Sequence, residues 1–247
     1  MAASGPLLMV IIAHRGASAV APESTASAIR AAARAHADMV ELDVQMTQDG
    51  RLIIFHDNRL ERTTTGSGLV ANQRYAELAR LDAGTWFHPR FSGERILLLS
   101  QAIRVAAPQL HLNLELKSTS RRRALLHRVL RVVRRAHLGS RLLLSSFDAL
   151  LLSPLVSTRL ALALICRDHA DRSLREAIRL RCAAWHPFHA LVSPQRVARA
   201  HRAGMRVHAW TVDELPRARQ LARWGVDGLF TNDPARLVAW RSARRRG

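Results

Sequence analysis

The chain has 247 residues, of which 48% are hydrophobic and 23% are charged. This composition excludes a mainly disordered chain, and the length is sufficient for a large core that needs no disulfides. The charge is strongly positive, because 38 Lys+Arg residues face 19 Asp+Glu residues and give a net charge of +19.

The N-terminal apolar run, residues 7–13, follows no cationic segment and is too short for a signal peptide. No stretch approaches the ~18 apolar residues of a membrane-spanning helix. The two cysteines, Cys166 and Cys182, are too few for a disulfide framework or a Cys-based zinc site. We therefore expect a cytoplasmic protein whose cysteines are reduced packing residues.

Short apolar runs alternate with amphipathic stretches along the chain. The runs predict strands at 8–13, 39–44, 52–56, 110–116, 142–147, 160–166, 182–186, 205–212 and 226–231. The amphipathic stretches predict helices at 24–37, 100–106, 122–136, 173–181, 194–203 and 216–224. This alternation predicts an α/β fold, a (β/α)8 TIM-type barrel.

Nine strand candidates are one more than such a barrel needs. Residues 39–56 contain the turn Gln48-Asp49-Gly50 and leave no room for a helix, so they predict a hairpin. Residues 58–99 lack the strand–helix rhythm and predict a small insertion after the third strand. We expect residues 1–247 to form a single domain with this insertion.

The positive charge is concentrated in the second half of the chain. Residues 121–247 hold 26 Arg and eight acids, a net charge of +18, whereas residues 1–120 are nearly neutral. Solvated helix faces account for this excess, and a peripheral contact with an anionic membrane is the alternative. Aromatic residues are not interleaved with the basic runs, so we expect no nucleic-acid partner. The sequence gives no prediction of the oligomeric state.

Acidic side chains alternate on two of the predicted strands. Residues at positions i and i+2 of a strand point the same way, so Glu41 and Asp43 project together, as do Glu115 and Lys117. Adjacent carboxylates repel unless a cation neutralises them. Three oxygen ligands, from Glu41, Asp43 and Glu115, favour a hard divalent ion such as Mg²⁺ or Ca²⁺.

Two histidines and two cations complete this set. His14 and His56 follow apolar strands and suit proton transfer near neutral pH. Arg15 adds fixed positive charge, and Lys117 is the only lysine of the chain beside 37 arginines. A lone lysine in such a chain suggests a point charge where a planar guanidinium would not fit. Together these groups predict a pocket for an anionic phosphodiester.

At these residues the chain resembles the glycerophosphodiester phosphodiesterase family. The resemblance spans about residues 8–240 in collinear blocks, which are Ala13-His14-Arg15-Gly16 with Pro22-Glu23-Ser24-Thr25, Val40-Glu41-Leu42-Asp43-Val44 with Thr47-Gln48-Asp49-Gly50, Phe55-His56-Asp57 with Arg62-Thr63-Thr64, Leu114-Glu115-Leu116-Lys117, Ser145-Ser146-Phe147, Ala209-Trp210-Thr211-Val212 and Gly228-Leu229-Phe230-Thr231-Asn232-Asp233-Pro234. Two positions depart from the family pattern. Ser24 stands where Asn is usual, and residues 96–101 replace a Pro-containing stretch followed by acids.

The resemblance implies a TIM-type barrel that hydrolyses glycerophosphodiesters to sn-glycerol 3-phosphate and an alcohol. It implies His14 and His56 as the acid/base pair, with Glu41, Asp43 and Glu115 as metal ligands and Glu23 in support. We predict Arg15, Lys117, Phe147 and Trp210 as the substrate- and phosphate-binding residues. The nucleophile, a glycerol hydroxyl or a water, stays open.

Two other functions compete with this prediction. A lysophospholipase D would act on lipids that retain an acyl chain, and a basic second half facing a membrane favours it. A non-catalytic phosphodiester- or nucleic-acid-binding protein is the alternative without chemistry, and the presence of both His14 and His56 argues against it.

Overall fold

The computed structural model describes residues 9–243. Leu8, the start of the first predicted strand, lies outside the described residues, as does Leu7, the first residue of the N-terminal apolar run. The strands are β1 (Val10–His14), β2 (Met39–Met46), β3 (Leu52–Ile54), β4 (His111–Leu116), β5 (Leu142–Ser146), β6 (Ala161–Cys166), β7 (Ala184–Pro187), β8 (Arg206–Ala209) and β9 (Gly228–Thr231). The helices are α1 (Ala26–Arg34), α2 (Tyr75–Leu78), α3 (Leu99–Ala106), α4 (Arg122–Arg135), α5 (Ala149–Leu152), α6 (Ala170–Arg179), α7 (Pro194–Arg202), α8 (Leu215–Arg223) and α9 (Pro234–Ala243).

Eight of these strands form a closed parallel barrel. The hydrogen-bonded order is β1, β9, β8, β7, β6, β5, β4, β2, and the pairing of β1 with β2 closes the ring. The predicted (β/α)8 fold is therefore confirmed. The remaining strand, β3, pairs antiparallel with β2 and lies outside the barrel, as the hairpin prediction required.

The helices differ from the prediction mainly in number. The six predicted helices correspond to α1, α3, α4, α6, α7 and α8, whereas α2, α5 and α9 were not predicted. Helices α2 and α5 have four residues each, too few for a periodic pattern. The start of α9 is marked by a helix cap rather than by a periodic pattern. Asp233 Oδ1 accepts a hydrogen bond from the amide of Arg236, and Pro234 is the first helical residue.

The main core lies between the barrel and its helices. The outward side chains of the strands pack against buried helix residues, and Trp185, which is fully buried, donates its indole N–H to Ser173. Cys166 and Cys182 are buried and unpaired, as expected. The barrel interior holds small side chains, such as Ala163 and Ala184, together with buried polar groups. The strands are therefore buried on both faces, which explains their continuous apolar sequences.

Residues 58–98 form irregular structure between β3 and α3. The 3₁₀ turns Val70–Asn72 and Pro89–Phe91 and helix α2 lie within this segment. A separate small apolar cluster, which includes Leu60, Val70 and Leu78, packs against Ile53 and Phe55. This cluster fixes the segment beside the β2–β3 hairpin. Among residues 9–243, no helix combines the length and the apolar character needed to cross a bilayer.

Candidate active site

The pairing of three neighbouring strands brings the acidic residues together. His14 of β1 lies opposite Glu41 of β2, and Asp43 of β2 lies opposite Glu115 of β4. Parallel strands in a barrel present their carboxyl ends at one face. The register therefore places these four side chains at that face, with both carboxylates of β2 pointing inward.

The three carboxylates form one compact cluster. Oxygen atoms of Glu41, Asp43 and Glu115 lie within 4.8 Å of one another, and all three residues are buried. Oε1 of Glu41 and Oδ2 of Asp43 have no hydrogen-bond partner in the protein. Buried oxygens without a partner are costly, and a divalent cation satisfies them. The cluster therefore fits the predicted hard metal ion.

Burial and mutual repulsion shift the acidity of this cluster. Burial, followed by the charge of Asp43, raises the pKa of Glu41 well above its ordinary value. The same two causes raise the pKa of Glu115 to about 7. In the protein alone, the cluster therefore holds protons that a bound cation would displace.

Two cations border the carboxylates. Nζ of Lys117 donates to Glu115 at 2.8 Å and to Asp43 at 3.2 Å. Burial alone would lower the pKa of Lys117, but the charges of Asp43 and Glu115 outweigh it and raise the pKa to about 12. The backbone amide of Arg15 donates to Glu41 at 3.1 Å, and its Nε lies 3.6 Å from Asp43. Both predicted cations therefore contact the predicted metal ligands.

His14 is held by an amide on the last barrel strand. Its Nδ1 lies 2.9 Å from Oδ1 of Asn232. Nδ2 of Asn232 donates to Asp213, so the amide oxygen must face the histidine, and Nδ1 of His14 is the donor. This tautomer leaves Nε2 available for proton exchange. Burial, followed by the charge of Arg15, lowers the pKa of His14 to about 4.

His56 reaches the site by a route that the strand-end argument did not contain. Strand β3 runs opposite to the barrel strands, so the rule that parallel strands present their carboxyl ends at one face does not apply to it. Instead β2 continues past Asp43, turns, and returns until the amide of Phe55 donates to the Asp43 carbonyl at 3.0 Å. The buried side chain of Gln45 then donates to the carbonyls of Phe55 and Asp57. The hairpin thus brings His56 back beside the carboxylates.

A chain of ion pairs links His56 to Arg15. Nδ1 of His56 lies 2.6 Å from Oδ1 of Asp57, whose other oxygen accepts from Arg62. Arg62 also donates two hydrogen bonds to Glu23, at 2.7 and 2.9 Å, and Glu23 accepts from Arg15 at 3.0 Å. Burial alone would raise the pKa of Glu23, but Arg62 and Arg15 lower it. All five residues are therefore held in one network.

The two predicted aromatic residues stand on the same face. Phe147 follows β5 and Trp210 follows β8, and their rings meet edge to face at 5.7 Å. Phe147 is 43% exposed, and the guanidinium of Arg167 lies 5.6 Å from the Trp210 ring. These rings follow the carboxyl ends of their strands, the face of the barrel that also holds the charged centre.

Ser24, the departure from the family pattern, has a conformation that explains the usual Asn. Its φ is 63°, in the left-handed region that Asn tolerates better than most residues. Its hydroxyl is buried without a partner, and its amide donates to the carbonyl of Arg15. The serine keeps the loop path but adds no contact to the carboxylate cluster.

The fold and this centre define a class: a TIM-type barrel with buried carboxylates and two supported histidines at the carboxyl ends of its strands. The family model described as the glycerophosphoryl diester phosphodiesterase family matches residues 14–236. The chain belongs to that family.

Individual relatives align with this chain over almost its whole length. A glycerophosphodiester phosphodiesterase of Caldanaerobacter subterraneus is 32% identical, with 93% of this chain and 96% of the relative covered. One from Bacillus subtilis is 30% identical, with coverages of 93% and 85%. An Oleispira antarctica phosphodiesterase, solved with the product sn-glycerol-3-phosphate, superposes with a TM-score of 0.89 at 32% identity and covers 94% of this chain and 96% of its own.

The structure brings together every residue predicted for the centre, but the supports of the histidines were missed. Asp57, Arg62 and Asn232 lay within the quoted blocks and received no role. Asp57 carried a weak signal, since it directly follows His56. Asn232 is more than 200 residues from His14 in the chain, so only the closure of the barrel reveals their contact.

We expect a divalent cation to stabilise the protein against heat, because it neutralises three buried carboxylates in the folded state only. At 100 times its dissociation constant, Mg²⁺ or Ca²⁺ should add about 2.7 kcal/mol. Thermal unfolding with and without metal measures this. Asp43→Asn should lose most of the gain, whereas Glu77→Gln, which changes an acid of α2 outside the cluster, should keep it. A metal-independent unfolding temperature would contradict the site.

Proposed function

We propose that this chain hydrolyses glycerophosphodiesters to sn-glycerol 3-phosphate and an alcohol. The observation that carries the proposal is the joint arrangement of two histidines, three carboxylates and two cations at one end of the barrel. Membership in the family and the likeness to the product-bound Oleispira antarctica enzyme support it. The proposal treats residues 1–247 as one domain, with the insertion at about 58–99 beside the pocket.

Glu41, Asp43 and Glu115 would hold Mg²⁺ or Ca²⁺. When bound, that cation supplies charge that polarises a non-bridging phosphate oxygen. Arg15 and Lys117 add fixed positive charge where negative charge develops in the transition state. Phe147 and Trp210 orient the part of the substrate that lies away from the phosphate.

We assign different roles to the two histidines because the groups that support them differ in charge. Asp57, 2.6 Å from Nδ1 of His56, stabilises the imidazolium that forms when Nε2 takes a proton, so His56 acts as the base. Among residues 9–243, no carboxylate is hydrogen-bonded to His14, since its partner is the neutral amide of Asn232. Burial lowers the pKa of His14 to about 4. In this proposal His14 is the group that protonates the leaving alkoxide, because its imidazolium is the less stabilised of the two.

The test is release of sn-glycerol 3-phosphate from glycerophosphocholine in the presence of Mg²⁺ or Ca²⁺. His14→Ala and His56→Ala should each lower kcat by about 100-fold or more while the unfolding temperature stays close to that of the parent. His127→Ala, on the exposed side of α4, should have no effect. Chelator-insensitive turnover would remove the metal from the proposal, and near-normal turnover would remove the altered histidine.

A lysophospholipase D reaction is the second candidate, and one observation favours it. A cavity of about 740 Å³ lies beside Phe147 and is lined partly by apolar side chains, including Leu164 and Ile165. Such a cavity could receive an acyl chain. A lysophosphatidylcholine arm in the same assay decides between the substrates. A larger kcat/KM for the lipid than for glycerophosphocholine would replace the first proposal with the second.

Arg62 should act on turnover through the two residues it holds. We expect Arg62→Ala to lower kcat by about 10- to 100-fold, because Asp57 and Glu23 lose their common partner and both His56 and Arg15 are displaced. Arg59→Ala is the matched control, since Arg59 forms an ion pair with Glu61 in the same loop and with no residue of the catalytic centre among residues 9–243. In the pH profile of kcat/KM, the limb that reports protonation of the base, His56, should flatten in Arg62→Ala and stay unchanged in Arg59→Ala. Equal losses in both variants would indicate a general effect on the loop.

Lys117 should not be replaceable by arginine. The lysine ammonium fits between carboxylates of two neighbouring strands, at 2.8 and 3.2 Å. A guanidinium is longer, planar and bidentate, so it should crowd the cation or misplace the phosphate. We expect Lys117→Arg to lose most of its turnover while the free energy of unfolding changes little. Wild-type kcat and KM in this variant would show that any cation serves and would withdraw Lys117 from the site.

A further inference from the structure

A second cavity lies on the outer wall of the barrel, away from the catalytic residues. It has a volume of about 710 Å³, within the usual range for a small-molecule site. Helices α3 and α4 form its sides, and the turn between β2 and β3, at Gly50, closes one end. Leu99, Ile103 and Val132 contribute to an apolar floor. We call this cavity the α3–α4 groove.

Arginines surround this floor. Arg128, Arg131 and Arg135 are spaced at i, i+3 and i+7 on α4 and therefore share one face of that helix, and Arg104 lies on α3 across the groove. Arg128 lies against the turn, because a Cβ on Gly50 would come within 2.7 Å of its Nη2. Among the residues that the structure describes, 9–243, no acidic residue lines the groove.

These four arginines carry no counter-charge. Within residues 9–243, none of Arg104, Arg128, Arg131 and Arg135 forms an ion pair or a side-chain hydrogen bond. This distinguishes them from Arg15, Arg62 and other arginines whose guanidinium groups are already paired. Like charges around a low-polarity floor repel one another, and an anion placed among them would relieve that repulsion.

From this combination we infer that the α3–α4 groove binds a single-chain anionic amphiphile, whose acidic head contacts the arginines of α4 and whose chain covers the apolar floor. An inorganic anion would leave the floor uncovered, and a neutral amphiphile would leave the guanidinium groups without a partner. A second copy of this chain is a poor occupant, because its net charge of +19 opposes approach to four further cations. This inference gives a function to three of the 26 arginines in the second half, Arg128, Arg131 and Arg135.

The inference is tested by calorimetric titration of the full chain with dodecyl phosphate below its micelle concentration. We expect saturable binding of one molecule per chain that weakens as ionic strength rises. Dodecyl maltoside and inorganic phosphate, titrated separately, should each bind at least tenfold more weakly. Equal binding of inorganic phosphate would show an adventitious anion contact, and equal binding of dodecyl maltoside would show simple apolar adsorption; either result would overturn the inference.

Two paired variants locate the binding. Arg131→Gln with Arg135→Gln should weaken dodecyl phosphate at least tenfold. Arg30→Gln with Arg123→Gln removes the same charge from exposed positions outside the groove and should change the affinity by less than twofold. Equal weakening in both pairs would show that only diffuse charge attracts the amphiphile, and no weakening in the first pair would place the ligand elsewhere.

A third variant tests the floor without altering charge. Val132→Phe fills the groove, so it should weaken binding at least tenfold while the urea midpoint confirms a folded chain; should it fail to fold, the paired arginine variants decide. Vesicles of phosphatidylglycerol, added in place of dodecyl phosphate, would overturn the single-molecule ligand if they alone bound in a groove-dependent way. Release of sn-glycerol 3-phosphate should be unchanged in both arginine pairs, so this outcome is separate from the proposed function.

Discussion

The site depends on the repulsion among three buried carboxylates, whose oxygens lie within 4.8 Å of one another in Glu41, Asp43 and Glu115. Neighbouring groups offset part of this repulsion. Lys117 donates to two of them, and the amide of Arg15 donates to the third. Even so, Oε1 of Glu41 and Oδ2 of Asp43 accept no hydrogen bond from the described residues of the protein. The protein therefore neutralises the cluster only in part, and the remaining negative charge and free oxygens fit a divalent cation.

The cluster in turn depends on the registers of β1, β2 and β4. A shift by one residue would turn the inward side chains outward, because strand residues alternate between faces. Gly16, with φ of 87°, lets the loop after His14 pass close to α1, where a Cβ would lie 2.6 Å from Cβ of Ala28. That close passage sets the path on which the Arg15 amide reaches Glu41. The conformation of Gly16 and the strand register thus both determine how the Arg15 amide meets the carboxylate of Glu41.

The sequence was sufficient for the barrel, because strands buried on both faces read as apolar runs separated by amphipathic helices. It was also sufficient for the centre, because side chains at i and i+2 of one strand must share a face. The sequence was insufficient for the path of His56 to the site, because the strand before it runs antiparallel and reaches Asp43 through the hairpin. The contacts of His14 with Asn232 and of Arg62 with Glu23 join distant segments, and no local pattern encodes such contacts.

The different use of lysine and arginine in this chain follows from geometry. Arg62 bridges two carboxylates, those of Asp57 and Glu23, through a planar fork with several donors, and this is the task that a guanidinium performs well. Lys117 instead places a small charge between Asp43 and Glu115, and in the proposed function it must also leave room for a cation and a phosphate. Since 37 of the 38 residues that are lysine or arginine are arginine, the proposed function predicts that position 117 requires the compact donor that lysine supplies.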